Sequence, residues 1–137
     1  MEIVGPYPAV RDPDLLNALY TAVKWGPKSK SEWDRYFDWT IDFIYTALEN
    51  NMPVGMGAGI TNGSNESECY IISLCVHPEY QGRHIGQKIM KNIVNEARAR
   101  GYERAKLSVP IEDPGKKGFY EKLGFQSLKG REMELVL

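Results

Sequence analysis

Apolar residues recur along this chain at helical spacing, then at strand spacing, then in a mixture of the two. Asp12-Pro13-Asp14 supplies an N-cap acceptor and a proline for the first helical position, and Leu15, Leu16, Leu19, Tyr20 and Val23 follow as one apolar stripe. That helix is expected to stop near Gly26-Pro27. Ser31-Glu32-Trp33-Asp34 reads as a capping box that opens a second helix, with Trp33, Tyr36 and Phe37 on one face. The segments Asp42 to Leu48 and Val54 to Ile60 read as a hairpin turning at Glu49-Asn50-Asn51, its second strand broken by glycines. Thr61-Asn62-Gly63-Ser64-Asn65 is loop chemistry. Tyr70-Ile71-Ile72-Ser73-Leu74-Cys75-Val76 is apolar on both alternating faces, which predicts the middle strand of a sheet covered on both sides.

Beyond Pro78 the helical period returns. Ile85, Ile89, Ile93 and Ala97, with Met90 and Val94 beside them, predict a long amphipathic helix; Arg98 and Arg100 suit its negative end, and Gly101 its C-cap. Arg104 to Val109 reads as a strand. Asp113-Pro114 caps a short helix carrying Phe119, Tyr120 and Leu123, Gly124 ends it, and Phe125 to Leu137 adds one or two closing strands. No repeat or linker interrupts the pattern, so residues 1–137 are expected to form one α/β domain.

Composition narrows the class of partner. The 137 residues are 42% hydrophobic and 26% charged, and 17 basic against 18 acidic residues give a net charge of -1. Such a balance offers no broad electrostatic footprint for nucleic acid or anionic lipid, so a small or neutral partner is expected. The start of the chain has neither a basic nor an apolar leader segment, and no apolar run reaches the roughly 18 residues of a membrane span. A cytoplasmic protein is expected. Cys69 and Cys75 lie on one strand, where six residues at roughly 3.4 Å each hold them beyond disulfide reach.

The candidate chemistry lies in Val76-His77-Pro78-Glu79-Tyr80-Gln81-Gly82-Arg83-His84-Ile85-Gly86-Gln87, a strand breaking into a helix. The first amides of a helix lack internal partners and the helix dipole adds partial positive charge, so a pyrophosphate is stabilised there without a metal. Gly82 and Gly86 allow close approach, Arg83 can add a charge-assisted contact, and Gln81 and Gln87 can orient the loop. Two other phosphate motifs are absent. Gly82 is followed by Gly86-Gln87-Lys88-Ile89 rather than a Walker ending, and no G-x-G-x-x-G occurs.

Gln81-Gly82-Arg83-His84-Ile85-Gly86 resembles the Gln/Arg-x-x-Gly-x-Gly/Ala signature of the Gcn5-related N-acetyltransferase (GNAT) family. Phe119-Tyr120-Glu121-Lys122-Leu123-Gly124-Phe125 is similar to a second element of that family at the usual separation. The resemblance is close from Tyr70 to Phe125. It implies the acyl-CoA N-acyltransferase fold, a mixed and largely antiparallel sheet with helices on both faces, and acetyl-CoA as cosubstrate. The donor would lie in a V-shaped opening between the central strand and the strand at Arg104 to Val109. Leu74, Cys75 and Val76 would pair with pantetheine, and the amides from Gln81 through Gly82, Arg83, His84, Ile85 and Gly86 to Gln87 would hold the pyrophosphate. His84 departs from the signature, which has glycine at this position. Its Cβ matters if the backbone there must be left-handed; otherwise it sits in ordinary helical geometry or turns its ring to solvent.

Amide formation needs a neutral amine, a stabilised oxyanion and a proton for the departing thiolate. The resemblance implies Tyr120 as general acid. Asp113 either approaches pantetheine or simply caps its helix. For the base, Tyr70 stands where some members carry glutamate, and Glu68 on the same face, His77 or a water chain are the alternatives. Trp25 is the candidate acceptor-binding residue in a segment that also holds Trp33, Trp39, Lys28 and Lys30, while Trp33 and Phe37 at i and i+4 suit helix packing. Cys75 suits a small buried role better than an acyl relay. The reading is direct transfer of acetyl to a primary amine, small or peptidic, with no metal. A homodimer is expected if the strand from Glu132 to Leu137 leaves an open edge. A non-catalytic acyl-CoA-binding module is the alternative, and a helical nucleic-acid module over Asp12 to Trp39 is disfavoured by charge.

Overall fold

The computed structural model describes all residues of the chain except Ile111. The elements run β1 (Glu2–Val4), α1 (Pro13–Ala22), α2 (Lys30–Arg35) with a π-helical turn at Tyr36–Thr40, β2 (Phe43–Glu49), β3 (Met52–Asn62) and β4 (Asn65–Val76). A 3-10 turn at Pro78–Tyr80 leads into α3 (Ile85–Ala99), followed by β5 (Arg104–Ser108), α4 (Pro114–Lys122), β6 (Gln126–Ser127) and β7 (Glu132–Val136). They form a seven-stranded sheet ordered β1-β2-β3-β4-β5-β7-β6. Its pairings are antiparallel except β4 with β5. The predicted middle strand is therefore fourth of seven, and its apolar character on both faces follows from cover on both sides.

The two faces have separate cores. Ile85, Ile89, Met90, Ile93 and Ala97 of α3 pack on one face against Phe43, Val54, Ile71, Ala105 and Met133. Leu16 and Leu19 of α1, with Trp33, Tyr36 and Phe37, pack on the other against Ile44, Met56 and Ala58. Ile89 and Ile93 are fully enclosed, and each such side chain contributes about 1.5–3 kcal/mol through burial. Trp33 is also fully buried, with its indole N–H donating to Asn17 Oδ1 at 3.0 Å.

Four local expectations change. The capping box of α2 is Ser29 with Glu32, not Ser31 with Asp34: Ser29 Oγ accepts from the Glu32 amide and Glu32 Oε1 from the Ser29 amide. Asp34 is instead taken by Lys30 at 2.9 Å and Arg11 at 3.6 Å. α1 ends at Ala22, four residues before Gly26, because Lys24 takes a left-handed backbone with φ 66°. The segment 61–65 is a tight hairpin rather than a loop, since β3 runs to Asn62 and β4 starts at Asn65. Its glycines do not break β3; a Cβ at Gly57 would come within 2.8 Å of Ile93 Cδ1, so they admit α3 to the sheet.

β1 carries too few residues for a period to be read from sequence. β6 pairs with β7 at Glu134 and Met133, so the last strand is covered there and the sheet ends at β1 and β6. The open edge from which a homodimer was expected is thus reduced. Among the described residues no helix is long and apolar enough to cross a membrane.

Candidate active site

The site begins as a defect in the sheet. Three residue pairs join β4 to β5, Glu68 with Arg104, Cys69 with Ala105 and Tyr70 with Lys106, and the ladder stops there although both strands continue. On its other side β4 stays paired to β3, but its register slips: Met56 faces Cys75 while Ala58 faces Ile72. Ser73 and Leu74 thus oppose one residue of β3, and Ser73 takes φ 60°. This is a β-bulge, which bends its strand and frees backbone groups. The strands diverge beyond Tyr70 and leave the β5-facing edge of residues 71–76 without a strand partner.

At the end of β4 the chain turns through Pro78–Tyr80. Gln81 Nε2 donates to the Val76 carbonyl at 3.1 Å and ties the loop to the strand end. Gly82 has φ 81°, with open space where a Cβ would stand. His84 has φ 62° and ψ 20°, so it adopts the left-handed conformation itself, not ordinary helical geometry, and its side chain is exposed without a capping bond. The first intrahelical bond of α3 runs from the Lys88 amide to the His84 carbonyl at 3.1 Å. The amides of Ile85, Gly86 and Gln87 therefore precede the helical ladder, and the first turn has no acidic residue to compensate its positive end. Such a cradle fits a phosphate group.

A continuous cleft of about 1310 Å³ joins this loop to α4 and to the end of α1. Leu74, Cys75, Val76, Gln81, Gly82, His84, Ile85, Gly86, Gln87, Asp113, Tyr120 and Trp25 all line it. Arg83 does not; its guanidinium lies 4.9 Å from the centre of the Tyr80 ring. The Tyr120 ring packs edge-on to Phe119 and Phe125, and burial pushes its phenol up to about 12. It therefore stays protonated at neutral pH. Asp113 Oδ1 caps α4 by accepting from the Lys116 amide at 3.1 Å, so its capping role is realised while it also borders the cleft. Burial pushes the Cys75 thiol up to about 12 and the Cys69 thiol to about 11, which holds both as neutral thiols.

Glu68 is not brought to this cleft. Its carboxylate is buried, 3.1 Å from Lys106 Nζ and accepting from Asn62 Nδ2 at 3.0 Å. Burial alone would raise it, but the Lys106 and Asn62 hydrogen bonds and the charges of Lys106 and Arg104 hold it below the usual carboxylate range. Lys28 and Lys30 do not line the cleft either. Lys28 Nζ lies over the Trp33 and Tyr36 rings, Lys30 pairs with Asp34, and Trp39 stands 84% exposed on the surface.

Two residues that the motifs do not single out enter the site. The Tyr36 hydroxyl donates to Ser73 Oγ at 2.7 Å, and Ser73 lines the cleft at the bulge. Burial raises the phenols of Tyr36 and Tyr20 beside it. The available signal is the serine inside the apolar run from Tyr70 to Val76. Lys24, exposed and with a left-handed backbone, also borders the opening. Among the described residues no group of three or more His, Cys, Asp or Glu side chains could hold a metal ion.

A split parallel pair beside a helix start with unpaired amides is the arrangement expected of an acyl-CoA N-acyltransferase fold, and sequence comparison agrees with it. The profile of the acetyltransferase (GNAT) family matches residues 13–125, and the chain belongs to that family. An uncharacterized N-acetyltransferase of Methanocaldococcus jannaschii is 31% identical over 125 residues, covering 82% of this chain and 55% of that protein. The chain thus spans about half the length of this curated relative. The PaiA N-acetyltransferase of Thermoplasma acidophilum, solved in complex with coenzyme A, superposes with a TM-score of 0.77 at 16% identity over 100% of both chains. The ribosomal-protein-S18-alanine N-acetyltransferase of Escherichia coli does so with a TM-score of 0.78 at 16% identity, over 98% of this chain and 94% of that one. At these identities the likeness carries the fold, and family membership is consistent with acyl transfer from a CoA thioester.

Proposed function

We propose that the protein transfers acetyl directly from acetyl-CoA to a primary amine within a ternary complex. The observation that carries this reading is the cleft itself, in which the strand split, the helix start at Ile85 to Gln87 with its unpaired amides, and Tyr120 share one opening. When bound there, acetyl-CoA supplies an activated thioester carbonyl. The amides from Gln81 to Gln87 would hold its pyrophosphate, and the β5-facing edge of Leu74, Cys75 and Val76 would orient its pantetheine arm as an added strand. Tyr120 holds a proton at its phenolic oxygen, where it can serve the departing sulfur. Glu68, committed to Lys106 and Asn62, is poorly suited to deprotonate the amine, which favours a water path.

The test is thiol release from acetyl-CoA against a panel of amines, run beside calorimetry of CoA binding. Amine-dependent release supports the reading. Binding without release on any amine, unaffected by Tyr120→Phe, would instead indicate a CoA-binding module, and absence of CoA binding would overturn both.

A further inference from the structure

Resting on that reading, we infer that the acceptor is a monoamine carried on an apolar or aromatic body without a second cation, either free or as the α-amine of a peptide whose first side chain is uncharged. The side of the cleft at the end of α1 receives the acceptor, because Tyr120 and the Gln81 to Gln87 loop occupy the other. Its wall is built from Val23, Trp25, Ile60, Tyr70 and Ile72, with the Ser73 hydroxyl at the bulge.

Trp25 is held in place: its amide donates to the Tyr20 carbonyl at 2.8 Å, and its ring stands edge-on to the buried Tyr20 ring at 5.0 Å. A preformed apolar wall favours a ligand that removes apolar surface from water with little ordering cost.

The charges point the same way. Lys24 is the charged side chain lining this side, and Asp113 is the one carboxylate among the described lining residues. Asp113 sits at α4, occupied by the Lys116 amide and with Lys116 Nζ at 3.9 Å. Glu68, on the same strand as Ser73, is neutralised by Lys106 outside the cleft. A polyamine or aminoglycoside would therefore bring further ammonium groups beside Lys24 with no carboxylate to receive them.

Ligand-observed NMR titrations of the full chain with saturating CoA test this. The ligands are phenethylamine, a short peptide amide with N-terminal alanine, spermidine and kanamycin. One of the first two should bind at least about tenfold more tightly than either polycation, and which of them does so identifies the source of the amine. Lys24→Glu should narrow that gap, and Trp25→Ala should weaken the preferred monoamine about tenfold while CoA affinity stays within about threefold.

Equal or tighter binding of spermidine or kanamycin, or binding of none of the four, overturns the inference. Thiol release from acetyl-CoA is scored separately. Monoamine-selective binding without release would uphold the acceptor class and sink the transfer reaction.

Discussion

His84 adopts φ 62° in the loop that leads into α3, where the family signature has glycine, and this makes it the most informative position to perturb. An L-residue in that conformation costs about 1–2 kcal/mol, and histidine falls at the low end because it is among the residues enriched there. Glycine removes the steric cost but adds about 0.5–1 kcal/mol of backbone entropy to the unfolded chain. The exposed side chain makes no capping bond, so no lost hydrogen bond enters the balance.

His84→Gly should therefore stabilise the fold by about 0.5 kcal/mol, or roughly 2 °C in Tm. His84→Val, a β-branched residue at positive φ, should destabilise it by about 1.5 kcal/mol, or roughly 5 °C. Thermal and urea unfolding of the three proteins measure both values. Glycine leaves the amide direction unchanged, so CoA affinity of His84→Gly should stay within about threefold of the parent. A valine variant as stable as the parent would refute the left-handed assignment. A tenfold change in affinity with glycine would show that the imidazole, not the backbone, contacts the donor.

Three further outcomes are expected. Tyr120→Phe should lower kcat about a hundredfold with CoA affinity retained; because burial pushes this phenol up to about 12, it should impose no alkaline fall in the parent rate below about pH 10. A Cβ at Gly86 would meet Phe119 at 3.5 Å and Val76 at 3.6 Å, ordinary contacts. Gly86→Ala should thus fold with stability unchanged or raised by up to about 1 kcal/mol, and weaken CoA at least about tenfold in calorimetry by narrowing its approach. Glu68 has a lowered folded pKa, so its contribution is present above the usual carboxylate range and lost as pH falls through the folded value. Lys106 is raised, chiefly by the hydrogen bond it donates to Glu68, so its contribution is present below the usual lysine range and lost as pH rises through the folded value. Tm measured against pH should accordingly flatten on the acid side in Glu68→Gln, with turnover nearly unchanged; a large loss of turnover would return Glu68 to the chemistry.

Features governed by neighbours in the chain were legible from sequence. The apolar stripe of α3, the Asp12 and Asp113 caps and the Gln81 to Gly86 loop depend on contacts within a few residues. Periodicity and motif spacing report such contacts directly. The family signature extended this to the donor side of the site, and the residues it marked, Arg83 excepted, line the cleft. The cap of α2 falls to Ser29 rather than to Ser31 two residues on, because Glu32 stands three residues after Ser29, whereas Ser31 is followed at that spacing by Asp34, which pairs with Arg11 and Lys30.

Tertiary structure alone decided the rest. The bulge at Ser73 depends on register against β3, and the reach of Tyr36 to Ser73 joins residues 37 apart in the chain. The diversion of Glu68 to Lys106 depends on a parallel partner strand. Each is a competition among partners brought close only by folding, where a hydroxyl or carboxylate bonds whichever group the sheet register presents. The chain by itself therefore marked the loop proposed here for a phosphate-bearing donor, while the assembled sheet decided which side chains line the remainder of the cleft.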